Sequence, residues 1–213
     1  VSHSNVVRFL HSRISLCVKG KMESSSRSLF VSSFNFDSSV SSIFCAFDVG
    51  AALILPSDEH IHVNMQQSIN LSRITHITLT PAEMSILDPG EVECLQCVLA
   101  GGAFLCLALI RKWTDPSHNI ALWNSYGPTE ATITVSLTNC TPDMQYPKSV
   151  GKPYPTAQFY ILSPGLQLVP QGVPGELFIG GPQVSCGYWN RPKLTKQRFV
   201  QSPFSTDPAD ILY

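Results

Sequence analysis

Charge is scarce in this sequence. Asp, Glu, Lys and Arg make up 14% of its 213 residues, and the formal net charge is -1. No basic stripe stands out, so a nucleic-acid partner has no electrostatic footprint. Low charge combined with 44% hydrophobic residues excludes a disordered chain and leaves enough apolar material for a core. Long apolar runs are missing as well. The longest, Gly101 to Ile110, stops at Arg111-Lys112, short of the roughly 20 residues that span a bilayer. The polar opening Val1-Ser2-His3-Ser4-Asn5 offers neither a secretory signal nor an initiator Met. There is no internal repeat, and the Ser clusters are too short for low complexity. The 7 cysteines are odd in number and widely spaced, which argues against a disulfide framework. Cys94 and Cys97 form a lone C-x-x-C without the second pair or histidine rhythm that zinc needs. Buried small apolar residues are the plainer reading of these thiols. No membrane partner and a cytoplasmic location are the expectations.

The apolar patterning alternates between two periods. Val6, Val7, Leu10 and Ile14 approach helical spacing within residues 1 to 16. Lys19 to Ser28 reads as a loop. Ile43 to Phe47 predicts a helix, Ala51 to Leu55 a strand between Gly50 and Pro56, and Val63 to Leu71 a helix. Ile74 to Leu79 has the β-branched character of a strand. Thr80-Pro81-Ala82-Glu83 spells a capping box, so a helix should run from Pro81 to about Leu87. Cys97 to Ala100 predicts a strand, Gly101-Gly102 a turn, Ala103 to Trp113 a helix and Ile120 to Trp123 a strand. Such alternation implies an α/β fold, a parallel sheet flanked by helices. Near Pro142 the character changes to short β runs at Phe159 to Leu162, Gln167 to Val169 and Glu176 to Ile179, with no helix-period segment between them. The expected division is therefore an α/β part at 1–141 and a β-rich, antiparallel or barrel-like subdomain at 142–213.

Three segments carry possible chemistry. Asn124-Ser125-Tyr126-Gly127-Pro128-Thr129-Glu130 follows a strand, and open parallel sheets bind ligands beyond the carboxyl ends of their strands. An aromatic face there can stack on a purine, a Thr hydroxyl can meet a phosphate, and a Glu carboxylate can hold Mg²⁺. An ordinary turn could carry the same residues. Leu99-Ala100-Gly101-Gly102-Ala103, also at a strand end and opening a helix, allows close backbone approach to a ligand or is a plain tight turn. Gly175 to Phe199 has glycines that mark turns or bulges between short strands.

NSYGPTE resembles the N-x-Y-G-P-T-E motif of adenylate-forming enzymes. GELFIGGPQVSCGYWNRPKLTKQRF is similar, nearly end to end, to a motif of nonribosomal peptide synthetases, and FDSSV resembles their F-D-x-S motif. Three motifs in order, over the whole chain from His3 to Tyr213, make the resemblance specific. It implies part of the large N-terminal domain of the adenylate-forming fold, an α/β domain with a β-barrel subdomain. It also implies a two-step reaction. An amino acid carboxylate attacks the α-phosphate of Mg·ATP to give aminoacyl-AMP and pyrophosphate. The acyl group then passes to the phosphopantetheine thiol of a carrier protein, next to condensation domains of a parent synthetase. Catalysis of this kind is mostly positioning and charge neutralisation.

Carried over position by position, the resemblance implies that Tyr126 stacks on adenine and Asn124 binds its edge. Gly101, Gly102 and Ala103 line the adenine side, with Ser125 and Gly127 beside them. Thr129 contacts phosphate and Glu130 holds Mg²⁺. Asp37 pairs with the substrate's α-ammonium, although a turn or N-cap aspartate is the plainer structural reading. Ser38, Ser41, Thr78, Val98, Ala100, Ser125, Ile133 and Thr134 are the implied side-chain pocket. They are uncharged and mostly small, which suits a medium-to-large uncharged amino acid, an aromatic one included. The family's phosphate-clamping loop would precede Val1 and its T-G-D motif would follow Tyr213. The expectation is an internal piece that alone folds poorly and does not turn over. Ala103-Phe104 departs from the polar or acidic residue common in relatives. Competing expectations are an acyl- or aryl-CoA ligase of the same superfamily, which would have no use for Asp37, and a non-catalytic remnant. A plain nucleotide-binding module leaves FDSSV unexplained.

Overall fold

The computed structural model describes residues 1–14, 20–56 and 58–213. It resolves into two compact units. One comprises Val1–Ile14, Gly127–Ser136 and Pro153–Tyr213, the other Ser15–Tyr126 and Leu137–Lys152.

The second unit is built on a parallel sheet. Its strands are β1 (Arg27–Leu29), β2 (Ala52–Ile54), β3 (His76–Leu79), β4 (Cys97–Ala100) and β5 (Ala121–Tyr126), with β6 (Ser136–Asn139) and β7 (Lys152–Pro153) at the far edge. The order is β2-β1-β3-β4-β5-β6-β7, and the first five pair in parallel. The chain steps outward from β1 to β2 and then returns across β1 to β3. Ligands of doubly wound sheets bind at this kind of reversal, beyond the strand carboxyl ends.

Helices cover both sheet faces, as right-handed crossovers require. One α-helix occupies residues His3–Ile14 (α1) and belongs to the other unit; in this unit follow α2 (Ser38–Asp48), α3 (Asp58–Leu71), α4 (Pro81–Ser85) and α5 (Leu107–Trp113). Ile69, Met84, Ile110 and Trp113 from α3, α4 and α5 pack with Leu29, Ile77, Leu79, Val98, Ala100 and Leu122 in the main core. Met22, Ala46 and Ala51, joined by Leu53, form a smaller cluster at α2 on the opposite face. Strand alternation therefore assigns Ser28, His76, Thr78, Leu99, Trp123 and Ser125 to the α2 face, and Val98, Ala100 and Asn124 to the other. Cys45, Cys97 and Cys140 are buried, and burial pushes the Cys140 thiol up to about 11.

In the first unit, β8 (Gln158–Leu162) pairs antiparallel with β9 (Glu176–Gly180), and β10 (Val200–Gln201) with β11 (Ile211–Leu212). Antiparallel pairing is what the short β runs near the end of the chain suggested. Phe9 of α1 is 1% exposed and stacks on Tyr154. Among the described residues no helix is long and apolar enough to cross a membrane.

Several boundaries differ from the sequence reading. β1 begins at Arg27, inside the expected loop, because Ser28 is buried and both its strand neighbours are paired. The capping box forms as expected, but α4 closes at Ser85. α5 starts at Leu107, not Ala103: Gly102 turns left-handed (φ 79°), and buried Leu105 draws the chain inward before Cys106 caps the helix in extended geometry. β5 continues three residues past Trp123, so Asn124, Ser125 and Tyr126 end a strand rather than follow one. Gln167 to Val169 makes only a single bridge, Leu162 to Leu168. A sixth helix, α6 (Pro192–Arg198), stands where no helix was expected; it buries no residue, so it leaves no apolar period to read. Ser15 and Leu16 of the expected first helix, Lys19 of the loop and Cys17 lie outside the described residues.

Candidate active site

Asp37 sits at the N-cap of α2, in the loop that leaves the carboxyl end of β1. Its carbonyl oxygen accepts from Val40 N at 3.0 Å and Ser41 N at 3.3 Å, starting the helix. Its side chain makes no capping bond. Oδ2 is enclosed by protein atoms and has no hydrogen-bond partner. An enclosed acceptor left unmatched is costly and marks a place for a donor. Beside it, Ser38 Oγ donates to Ser32 Oγ at 3.0 Å, and Ser41 Oγ lies 3.6 Å from Cys45 Sγ, 7% exposed.

Asp37, Ser38 and Ser41 therefore enter on the α2 side of the sheet, the side of Thr78 and Ser125. Val98 and Ala100 are each 0% exposed and face the main core. The eight pocket positions read from the sequence are thus not on one face.

The Gly101 turn is fitted to Ser125. Ser125 Oγ donates to the Ala100 carbonyl at 2.9 Å, and Gly101 N donates to Leu79 O at 3.1 Å. A Cβ at Gly101 would lie 2.5 Å from Ser125 Oγ. Asn124 Nδ2 reaches Ser149 O at 3.5 Å, a long contact that leaves its amide free to choose a better acceptor. Tyr126 is half-buried, and desolvation raises its hydroxyl above the ordinary tyrosine range. Ala103 and Phe104 are exposed, and Lys148 Nζ stands 6.0 Å from the Phe104 ring centre.

The next residues form a tightly wound turn in the first unit. A Cβ at Gly127 would lie 2.4 Å from Ile133 O and 2.6 Å from Thr134 Cα, so only glycine lets the chain fold back here. Thr129–Ala131 is a 3-10 turn that leaves Thr129 exposed and Glu130 half-buried. Thr132 (φ 63°) and Ile133 (φ 70°) follow in left-handed geometry. For β-branched residues this costs of order 1–3 kcal/mol each and persists only when surroundings enforce it.

Those surroundings come from Gln183 to Tyr188. Gln183, 0% exposed, donates Nε2 to Thr134 O at 2.9 Å and Thr132 O at 3.3 Å. Thr132 Oγ1 donates to Gln183 O at 2.6 Å, and Ser185 N to Glu130 O at 2.7 Å. The Tyr188 hydroxyl donates to Glu130 Oε1 at 2.5 Å. That bond, followed by desolvation and the neighbouring Tyr213 hydroxyl, raises Tyr188 far above the ordinary phenol range. Ile133 and Thr134 are each 8% exposed. The sequence reading gave Gln183, Ser185 and Tyr188 no role; the available signal was a buriable amide and a phenol set in a glycine-rich β segment.

Among the described residues no group of three or more His, Cys, Asp or Glu side chains converges as a metal cage. A lone carboxylate such as Glu130 still fits Mg²⁺ carried by a polyphosphate, which takes one or two protein carboxylates and keeps phosphate and water as its other ligands.

Comparison with known proteins matches these features. The model of the AMP-binding enzyme family covers residues 1–189. Chondramide synthase cmdD of Chondromyces crocatus is 37% identical over 194 residues, covering 88% of this chain and 5% of that protein. Tyrocidine synthase 1 of Brevibacillus parabrevis is 36% identical over 185 residues, covering 85% of this chain and 16% of that protein. The crystal structure of CmiS6 superposes with a TM-score of 0.88 at 20% identity, over 100% of this chain and 53% of that one. The Vibrio cholerae adenylation domain AlmE, solved with glycyl-adenosine-5'-phosphate, gives 0.87 at 23% identity, over 100% of this chain and 41% of that one. The chain thus spans a small share of these synthetases and about half of the solved domains. Sheet order, glycine-bound turns and family match agree: this chain belongs to the AMP-binding, adenylate-forming family of enzymes, with nonribosomal peptide synthetases among its relatives.

Proposed function

We propose that the chain binds substrates for the activation of an α-amino acid as its adenylate in nonribosomal peptide synthesis. The enclosed, unmatched Asp37 oxygen carries this reading, because an α-ammonium is the donor that would match it. The ligand in the similarly folded AlmE structure, an aminoacyl adenylate, supports it.

In the first step a carboxylate oxygen of the amino acid bonds to the α-phosphorus of ATP. The bond from that phosphorus to the β-bridging oxygen breaks, and pyrophosphate leaves with the electron pair. In the second step a carrier's phosphopantetheine thiolate takes the acyl group and AMP leaves. Asp37 holds the ammonium and thereby sets the direction in which the carboxylate points. Tyr126 offers its ring face to adenine, Asn124 its amide to the base edge, and Gly101, Gly102 and Ala103 a backbone that permits close approach. The exposed Thr129 hydroxyl donates to a phosphate oxygen, and Glu130 would hold Mg²⁺. When bound, that ion neutralises charge on the phosphates. Ser38, Ser41, Thr78 and Ser125 on the α2 face carry no charge and favour a medium-to-large uncharged amino acid. Val98 and Ala100 shape the sheet from behind.

The test is amino-acid-dependent exchange of pyrophosphate into ATP by the natural-length polypeptide that carries this chain, with Asp37→Ala beside it. Removing one partner of an enclosed charged pair predicts a loss of about a hundredfold with amino acids. Carboxylic acids without an amino group should be unaffected. Full amino-acid-dependent exchange by Asp37→Ala would sink the assignment. Wild-type exchange with such acids alone would favour the acyl- or aryl-CoA ligase reading.

A further inference from the structure

Glu130 is held by more than its own turn, and the Mg²⁺ role proposed for it leaves those contacts unexplained. From Gln183 to Tyr188 the chain grips the Thr129–Thr134 turn through five hydrogen bonds of at most 3.3 Å. Gln183 donates to the Thr132 and Thr134 carbonyls, and its own carbonyl takes the Thr132 hydroxyl. Ser185 N donates to the Glu130 carbonyl. The Tyr188 hydroxyl donates to Glu130 Oε1. The first four fix the backbone in a geometry that Thr132 and Ile133 would not adopt unaided. The fifth is the only one of them on the Glu130 carboxylate.

We infer that Tyr188 is a positioning residue, whose hydroxyl orients the Glu130 carboxylate for a phosphate-bound divalent cation. Its own placement is rigid. The ring packs edge-on against Phe199, 5.4 Å between centroids at 77°, and Tyr188 N donates to Thr195 Oγ1 at 2.9 Å. Gly187 reaches this position only in left-handed geometry, φ 122°, where a Cβ would lie 2.3 Å from Thr195 Cγ2. Loss of the hydroxyl leaves the Phe199 and Thr195 contacts in place, so Tyr188→Phe removes only what the hydroxyl makes, the bond to Glu130 and its interaction with the Tyr213 hydroxyl, and keeps the packing. Outer hydrogen bonds of this kind fix the orientation and basicity of a metal-binding carboxylate, and their loss weakens metal affinity.

This inference rests on the proposed Mg²⁺ role of Glu130, and the experiment separates the two. Mn²⁺ with ATP serves as the probe, its binding to the natural-length polypeptide read by water-proton relaxation for wild type, Glu130→Gln and Tyr188→Phe. In parallel, the Mg²⁺ concentration for half-maximal pyrophosphate exchange is measured. We expect Glu130→Gln to abolish tight Mn·ATP binding. Tyr188→Phe should weaken it about 10-fold and raise the Mg²⁺ requirement by the same factor. The amino acid half-saturation and the thermal midpoint should stay at wild-type values, which a purely structural role would not leave intact. Weakened binding in Glu130→Gln with wild-type binding in Tyr188→Phe would overturn the positioning role alone. Wild-type binding in Glu130→Gln would overturn both.

Discussion

Gly101 and Ser125 show how single residues on neighbouring strands specify each other. The Ser125 hydroxyl stays on the Ala100 carbonyl at 2.9 Å because Gly101 has no Cβ to collide with it. Gly101→Ala would force its Cβ to 2.5 Å from Oγ, yet the next atoms, Ser125 O and Cβ, lie at 3.4 and 3.8 Å. Overpacking of this kind costs about 1–3 kcal/mol. Urea unfolding should show that loss in Gly101→Ala and recovery of most of it in the Gly101→Ala, Ser125→Ala double variant. Failure of the double variant to recover would mean that the backbone at Gly101, and not the hydroxyl, is limiting. The glycine pair was legible in the sequence as a turn. Its reason was not, because the partner atom belongs to a residue 24 positions away in sequence, and only the β4–β5 register brings the two together.

At the scale of elements, legibility followed the kind of force involved. Thr80, Pro81 and Glu83 act within four residues, so the capping box could be read directly. Thr80 Oγ1 accepts from Glu83 N at 3.3 Å, and Glu83 Oε2 accepts from Thr80 N at 2.6 Å. Thr80→Ala removes the hydroxyl half of this exchange and should cost about 1 kcal/mol in chemical denaturation, with α4 still formed. A cost indistinguishable from zero would show that the neighbouring strand, not the cap, starts the helix. The buried strands β3 and β4 were equally plain, since β-branched and apolar runs are what a sheet covered on both faces demands. Ends governed by tertiary contacts were not. β5 continues through Asn124 and Ser125, polar residues that period and propensity assign to a loop, because β4 offers them a partner as far as Ala100. α6 escaped because it buries nothing. The roles of Gln183 and Tyr188 escaped because they act across about fifty residues of chain on Thr132, Thr134 and Glu130.

Across the whole molecule, the two units are held by unequal means. The sheet of the second unit has β3 and β4 paired on both sides and sealed by a core in which Ile77, Val98, Ala100, Met84 and Trp113 are each at most 2% exposed. The first unit relies on two-stranded sheets, β8–β9 and β10–β11, and such ribbons are marginal on their own in water. Of the ten residues in β8 and β9, only Leu162, Ile179 and Gly180 are buried. Backbone amides exchange through local openings whose free energy follows packing of this kind. Native-state hydrogen exchange should therefore find the β3 and β4 amides slowest in the molecule. Those of β10 and β11 should exchange faster by on the order of a hundredfold or more. The Thr132 to Thr134 segment is the informative exception. It carries no regular structure, but Gln183 and Val135 are 0% exposed around it, and Gln183 bridges its carbonyls. Its amides should be protected well above those of the β8–β9 and β10–β11 ribbons. Fast exchange there would mean that the strained turn opens freely, and the Gln183 bridge would then be too weak to hold Glu130 in place.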